Sequence, residues 1–220
     1  GVGQYPQLKN ILKEDVADFK NRNHVATPAE FYESYTDRLL TTAFYTAYLR
    51  ISEGCSNRCA FCIIPKMRGP MRSRSPESIL AETENLAQRG VKELNIISQD
   101  TTMYGFDLAM KDGLIRLLRE MSKVKGVEWI RLLYCYPTFI NSDLIDYIAS
   151  EEKLCRYIDV PLQHTHDEIL KSMKRQETEA DVRRILDEMR LKLPEIALRT
   201  TFITGFPGEN EEHFKHMLRF

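Results

Sequence analysis

The sequence predicts an α/β protein in which a parallel sheet is covered by helices. Three observations carry that prediction. Strand-like and helix-like segments alternate from Thr42 onward, the strands are short and apolar on nearly both faces, and each is followed by a segment able to cross back over the sheet. FYTAYLRI (44–51), rich in aromatic and β-branched residues, is the first strand. PESILAETENLAQRG (76–90) sets Ile79, Leu80, Thr83, Leu86 and Ala87 at helical spacing; Ser75 is placed to cap it, Pro76 suits its first turn and Gly90 stops it. VKELNII (91–97) is the next strand, and DGLIRLLREMSKVKG (112–126) the next helix, closed by Gly126. WIRLLY (129–134) is a strand, NSDLIDYIASEE (141–152) a helix capped by Asn141 or Ser142, and YIDVPL (157–162) a strand. HDEILKSMKR and EADVRRILDEMRLK are helical, ALRTTFITG (197–205) is a strand, and residues 209–220 open a helix. Five β-α units result. A doubly wound sheet and a (β/α) barrel both accommodate them, and in either the function gathers at the C-terminal ends of the strands.

Composition bounds the rest. The chain has 220 residues, 31 Lys+Arg against 32 Asp+Glu, a net charge of -1 and 43% hydrophobic residues, ordinary values for a globular protein. The charge balance excludes a broadly basic nucleic-acid binder, though not a local basic patch. No apolar run approaches the roughly 18 residues of a membrane span. GVGQYPQLKN has no basic n-region and no apolar h-region, so no secretory signal is visible. The chain begins without Met and ends inside a predicted helix, and it reads as a piece of a longer protein. Residues 1–12 read as the tail of a preceding unit and 13–42 as a polar linker or arm, leaving 43–220 as the core domain.

Three of the five cysteines crowd into the motif CxxxCxxC: Cys55, Cys59 and Cys62, just after the first strand. Clustered cysteines without a secretion signal point to metal or redox chemistry in a reducing compartment, here the cytoplasm. Thiolates are the ligands that zinc and iron–sulfur centres select. Three of them hold three corners of a cubane and leave one iron open, whereas a structural zinc site is closed by a fourth ligand. The zinc alternative, a non-catalytic binding module, would recruit distant His164 or His166. Cys135 and Cys155 stand alone and read as small buried hydrophobes.

The cysteine loop, with Phe61 before its third cysteine, is similar to that of the radical S-adenosylmethionine enzymes. YLRISEGCSNRCAFCIIPKMRGPMRSRS resembles the core of the methylthiotransferases. ISQDTTMYG, YIDVPLQH and LRTTFITGFPGE resemble the branch that modifies an aspartate of a ribosomal small-subunit protein. The branch that acts on tRNA adenosine is the alternative; it usually carries a Gln-Asn type motif at Gln99-Asp100 and Gln-Ser-Gly at Gln163-His164-Thr165. The resemblance covers roughly residues 40–220 and implies a partial (β/α)6 barrel of the radical SAM type, with five β-α units present and an N-terminal polar arm. It implies a [4Fe-4S] cluster on Cys55, Cys59 and Cys62, with S-adenosylmethionine on the open iron. Reductive cleavage there gives a 5′-deoxyadenosyl radical that takes hydrogen from the aspartate β-carbon. A second [4Fe-4S] cluster, on three cysteines of an N-terminal domain outside these 220 residues, takes part in sulfur delivery, and another S-adenosylmethionine supplies the methyl group. The implied partners are the ribosomal protein and an electron donor such as flavodoxin, with no membrane and no evident RNA contact.

No catalytic residue is assigned beyond the cluster, but several residues are candidates for holding the cofactor. Gln99 and Asp100 end the second strand, where the resemblance places groups for the methionine amino end; a plain loop cap is the other reading. Gln163 and Arg199 sit near the strand ends and could meet the adenosine or the carboxylate, although a lone Arg also serves as a surface or ion-pair residue. Gly205, Pro207 and Gly208 form a turn that lets backbone approach a ligand closely. The alternative is an ordinary strand-to-helix turn with Glu209 in the first helical turn. Lys66, Arg68, Arg72 and Arg74 make a basic stretch, either a solvated face or a surface that steers an RNA-rich partner such as a ribosomal particle.

Overall fold

The computed structural model describes residues 7–13 and 38–220. The polar arm predicted over 13–42 therefore lies mostly outside the described residues. A short helix α1 (Leu8–Ile11) precedes it. After strand β1 (Thr46–Arg50) come a two-residue strand β2 (Ser52–Glu53), helix α2 (Ile64–Arg68) and strand β3 (Arg72–Ser73). Then follow α3 (Pro76–Gln88), β4 (Glu93–Ile97), α4 (Gly113–Lys123), β5 (Trp129–Leu132), α5 (Ser142–Ser150) and β6 (Leu154–Asp159). Helices α6 (Asp167–Ser172) and α7 (Glu179–Lys192), strand β7 (Ala197–Arg199) and helix α8 (Glu211–Arg219) complete the chain.

Strands β1, β4, β5, β6 and β7 form one sheet in that order, every neighbouring pair parallel. Each new strand is laid beside the one before it. A doubly wound sheet reverses its strand order at a switch point; this order never reverses, so it is that of an open, partial (β/α) barrel. The two architectures left open by the alternation are thus separated by topology. Ala47, Leu49, Leu94, Ile96, Ile130, Leu132 and Ile158 are buried on the sheet, with Ile79, Leu86, Leu117, Leu118, Met121 and Ile145 from the helices packed over it.

The local signals explain where helices start. The Ser75 hydroxyl accepts from the Ser78 N–H at 3.3 Å, and Asn141 from the Leu144 N–H at 2.9 Å, each closing a first turn that backbone alone leaves unpaired. Other expectations need correction. The strand expected at 157–162 is β6, which starts three residues earlier, because Leu154 pairs with Ile130 of β5, and stops at Asp159, before Pro161. The strand expected at 197–205 stops at Arg199 and resumes only as an isolated bridge from Phe202 to Gln163. The strands are not apolar on both faces: Tyr48, Asn95 and Arg131, paired side by side across β1, β4 and β5, are exposed or half-buried, and Ala197 and Arg199 of β7 are exposed. Glu209 precedes the last helix instead of lying in it, because Asn210 is the cap, bonded to the His213 N–H at 3.1 Å. Cys135 is fully buried as expected, but Cys155 is only half-buried.

The basic stretch is a solvated face only in part: Lys66 is exposed, Arg68 and Arg72 are half-buried, and Arg74 is buried. Arg68 pairs with the buried Glu53 at 2.5 Å. Arg74 is 4% exposed and donates to Glu82 at 2.6 Å, to the Arg50 carbonyl at 2.8 Å and to the Ser78 hydroxyl at 2.9 Å. Its own carbonyl accepts from the Tyr104 hydroxyl at 2.9 Å. One guanidinium thus ties the end of β1 to the start of α3. Removing it would leave the buried Glu82 carboxylate with only the more exposed Arg38, 3.4 Å away, as a cation. Arg74→Ala is expected to destabilise the fold by about 3–5 kcal/mol, measured by urea unfolding; a loss below about 1 kcal/mol would contradict a structural role for the pair.

Candidate functional site

The cysteine loop leaves the end of β1 under tight backbone control. Gly54 has φ +79°, and a Cβ there would lie 2.2 Å from the Pro70 carbonyl oxygen, so only glycine fits. Its N–H donates to Gln99 Oε1 at 2.7 Å. The Cys55 N–H donates to the Gly69 carbonyl at 3.2 Å, the Cys62 N–H to the Cys59 carbonyl at 3.1 Å, and the Ala60 N–H to the Met173 carbonyl at 2.9 Å. The loop is thereby fixed to the end of β4, to the β2–β3 connection and to the α6–α7 connection.

The three thiols grade from buried Cys55 through half-buried Cys59 to exposed Cys62. Burial raises the Cys55 thiol, against the pull of the Asn57 backbone. Burial also raises Cys59, against the charge and hydrogen bond of Arg175. Among the described residues, the ligand atoms that lie within 4.8 Å of one another are those of His166, Glu168 and His213, away from the cysteines.

Asp100 is 2% exposed and its carboxylate is fully engaged by protein. Oδ1 accepts from the Thr102 N–H and hydroxyl at 3.1 and 2.6 Å, and Oδ2 accepts from Asn57 Nδ2 at 2.7 Å. Burial raises its pKa, and those donors oppose the rise. Gln99 and Asp100 thus both grip the cysteine loop, one at Gly54 and one at Asn57. From the other side Gln176 Nε2 reaches Asn57 Oδ1 at 3.4 Å. Beside it, buried Arg175 donates to Glu177 at 2.6 Å and to the Pro161 carbonyl at 2.9 Å, with its guanidinium 4.1 Å from the centre of the Tyr136 ring.

The remaining candidates line the later strand ends. Gln163 has φ +69°, and the His164 N–H closes back on the Leu162 carbonyl at 2.8 Å, a strained three-residue turn. Arg199 is 58% exposed in its side chain and 3.7 Å from Asp159 Oδ1. Gly205 and Gly208 take φ +75° and +93° with open space beside them, and Pro207 is exposed. Between them the Phe206 ring meets Phe61 edge-on at 6.5 Å, which brings this turn against the cysteine loop. The histidines do not join the cysteines: His164 is enclosed, with Glu209 3.6 Å away, while His166 stacks on His213 at 4.4 Å with Glu168 beside them.

Four supports were not singled out from sequence: Asn57, Arg175, Asp159 and Glu209 as a buried group. Asp159 is 1% exposed, accepts from the Tyr134 N–H at 3.2 Å, and leaves Oδ1 without a hydrogen bond. Its signal was an acidic residue inside the apolar run YIDVPL; Asn57 and Arg175 carry none, since only the fold brings them to the loop.

An open parallel barrel with a CxxxCxxC loop at its strand ends defines a class. Residues 49–220 match the Radical SAM superfamily, and the chain belongs to it. Across all 220 residues it is 50% identical to "Ribosomal protein uS12 methylthiotransferase RimO" of Clostridium kluyveri and 45% to the protein so named from Geotalea uraniireducens, covering 49% of each. The chain therefore spans about half the length of these curated relatives. Among solved structures, the radical S-adenosylmethionine methyltransferase TsrM from Kitasatospora setae, with cobalamin and a [4Fe-4S] cluster bound, superposes with TM-score 0.65 at 21% identity over 79% of this chain and 34% of that one. Methylornithine synthase PylB gives 0.55 at 12% identity over 79% and 48%. These two likenesses show the fold. The donor set, three thiols on one loop, fits the cluster that the family uses with S-adenosylmethionine.

Asp100→Asn is expected to set an amide N–H₂ against Asn57 Nδ2, free the loop and lower retained iron to about half or less after reconstitution. The reciprocal exchange, Asn57→Asp with Asp100→Asn, should recover iron. Iron analysis with full retention in the single variant, or no recovery in the double, would contradict the grip.

Proposed function

We propose that this chain is the radical core of a cytoplasmic enzyme that adds a methylthio group to the β-carbon of an aspartate in ribosomal protein uS12. The observation that carries the reading is that identity to the RimO relatives runs over the whole chain, at 44–50%, and not over the cysteine motif alone. In the parent protein, residues 1–42 lead from an N-terminal domain with a second [4Fe-4S] cluster into this core, and a protein such as flavodoxin supplies electrons.

When bound, the cluster supplies the electron that splits the sulfonium of S-adenosylmethionine. Cys55, Cys59 and Cys62 would hold it, leaving one iron for the amino and carboxylate groups of the cofactor. The Gln99–Asp100 segment borders the methionine end while its side chains fix the loop at Gly54 and Asn57. Gln163 and Arg199 face the adenosine or carboxylate, and Gly205, Pro207 and Gly208 allow close backbone approach. Phe61 and Phe206 meet edge-on where the cysteine loop comes against that turn.

The test is anaerobic reconstitution of the full-length parent with S-adenosylmethionine, sulfide and reductant, followed by mass spectrometry of uS12 and tRNA. Methylthio-aspartate in uS12 with 5′-deoxyadenosine is expected. Methylthiolation confined to tRNA adenosine would overturn the substrate. Residues 1–220 alone should methylthiolate neither, because Cys135 is sealed in the core and Cys155 lies on β6, a poor pair for a second cluster. Methylthio-aspartate made by residues 1–220 alone would show that the sulfur chemistry is misplaced.

A further inference from the structure

Behind the two candidate cofactor turns, two buried polar atoms face each other without a partner. His164 is fully buried. Its Nδ1 accepts from the His166 N–H at 3.0 Å, which places the proton of the neutral ring on Nε2. Burial favours that neutral form. Nε2 lies 3.6 Å from Glu209 Oε1, too far for a hydrogen bond, and neither atom has another partner.

Each residue is also the keystone of one turn. The other oxygen of Glu209 accepts from the Phe206 N–H at 3.0 Å, and the Glu209 N–H returns to the Phe206 carbonyl at 2.8 Å, closing the Gly205–Glu209 turn. The His164 N–H, bonded to Leu162, holds Gln163 at φ +69°. Such a conformation persists only where its surroundings over-determine it. The two segments are laced side by side: the Gln163 N–H donates to the Thr201 carbonyl at 2.8 Å, and the Ile203 N–H to the Gln163 carbonyl at 2.7 Å. An apolar side chain would fill the place of the imidazole with no polar atom to desolvate. A buried imidazole aimed at a buried carboxylate is costly unless the two close on each other, and such groups mark functional strain.

We infer that His164 is a positioning residue: with Glu209 it forms a latch that holds the Gln163 turn and the Gly205–Glu209 turn in the relative register S-adenosylmethionine needs. The latch rests on the proposal that these two turns meet the cofactor. A shift of well under an ångström turns the 3.6 Å approach into a hydrogen bond, and the cofactor bridging both turns supplies the occasion for it.

The test uses the full-length, cluster-loaded parent, titrated anaerobically with S-adenosylmethionine by calorimetry. His164→Phe should weaken binding about tenfold, whereas His164→Gln, whose amide both donates and accepts, should stay within about threefold. Glu209→Gln, which can keep an oxygen on the Phe206 N–H while turning an N–H₂ toward the His164 N–H, should match His164→Phe, and the double variant should be no weaker than the weaker single, because both break the same contact. Iron per chain should not change in any of them. A folded, iron-replete His164→Phe protein that binds like the parent would overturn the latch, as would additive single effects. Should His164→Phe not fold, Glu209→Gln binding like the parent would overturn it equally. A fully loaded parent that does not bind S-adenosylmethionine would instead remove the underlying reading of the turns, and the latch with it.

Discussion

The site depends on one close approach of backbone to backbone. Gly54 lies so near the Pro70 carbonyl that any side chain would collide with it, and its N–H is taken by Gln99 from the adjacent strand. That contact turns the chain sharply just after β2, past the end of β1, and sends Cys55, Cys59 and Cys62 over the strand ends instead of onward along the sheet. The strand order then determines what the loop meets. Because β4 is laid beside β1, Gln99 and Asp100 arrive under the loop; because the sheet curves, the α6–α7 connection three strands away reaches back to Ala60 and Asn57. A flat sheet would hold β1 and β6 about 14 Å apart, at about 4.8 Å per strand.

The electrostatics around the loop favour an occupied site. Burial disfavours thiolate at Cys55 and Cys59, and the nearby Asp100 charge adds to this at Cys55. Arg175 pulls the other way at Cys59, but its charge is shared with Glu177. The missing positive charge is what a metal group brings, since coordination deprotonates a thiol outright. The same loop that shelters two sulfurs leaves Cys62 and Phe61 at the surface, where assembly of a cluster and entry of a cofactor are possible.

Much of this was legible in the sequence, for reasons that can be named. The helix starts at Ser75 and Asn141 were readable because capping is local chemistry. The order of elements was readable because apolar spacing survives in a buried sheet. The true span of β6 was not, since Arg156 interrupts the apolar run and the pairing of Leu154 with Ile130 is non-local. The three cysteines stood out by their spacing alone, but not the residues that support their loop. Arg74 read as part of a charged surface, yet it is buried, because its partner Glu82 is one of several acids on α3 and nothing local marks it. His164 and Glu209 read as loop and helix residues, because a contact between residues 45 positions apart leaves no local trace.

The claim at the centre of this account is that three thiolates hold a cluster whose last iron is open to S-adenosylmethionine. Mössbauer spectroscopy of the protein reconstituted with ⁵⁷Fe tests it most directly. About one iron in four should form a distinct site whose isomer shift moves when S-adenosylmethionine is added, while the other three stay unchanged. Four equivalent irons, indifferent to the cofactor, would contradict it.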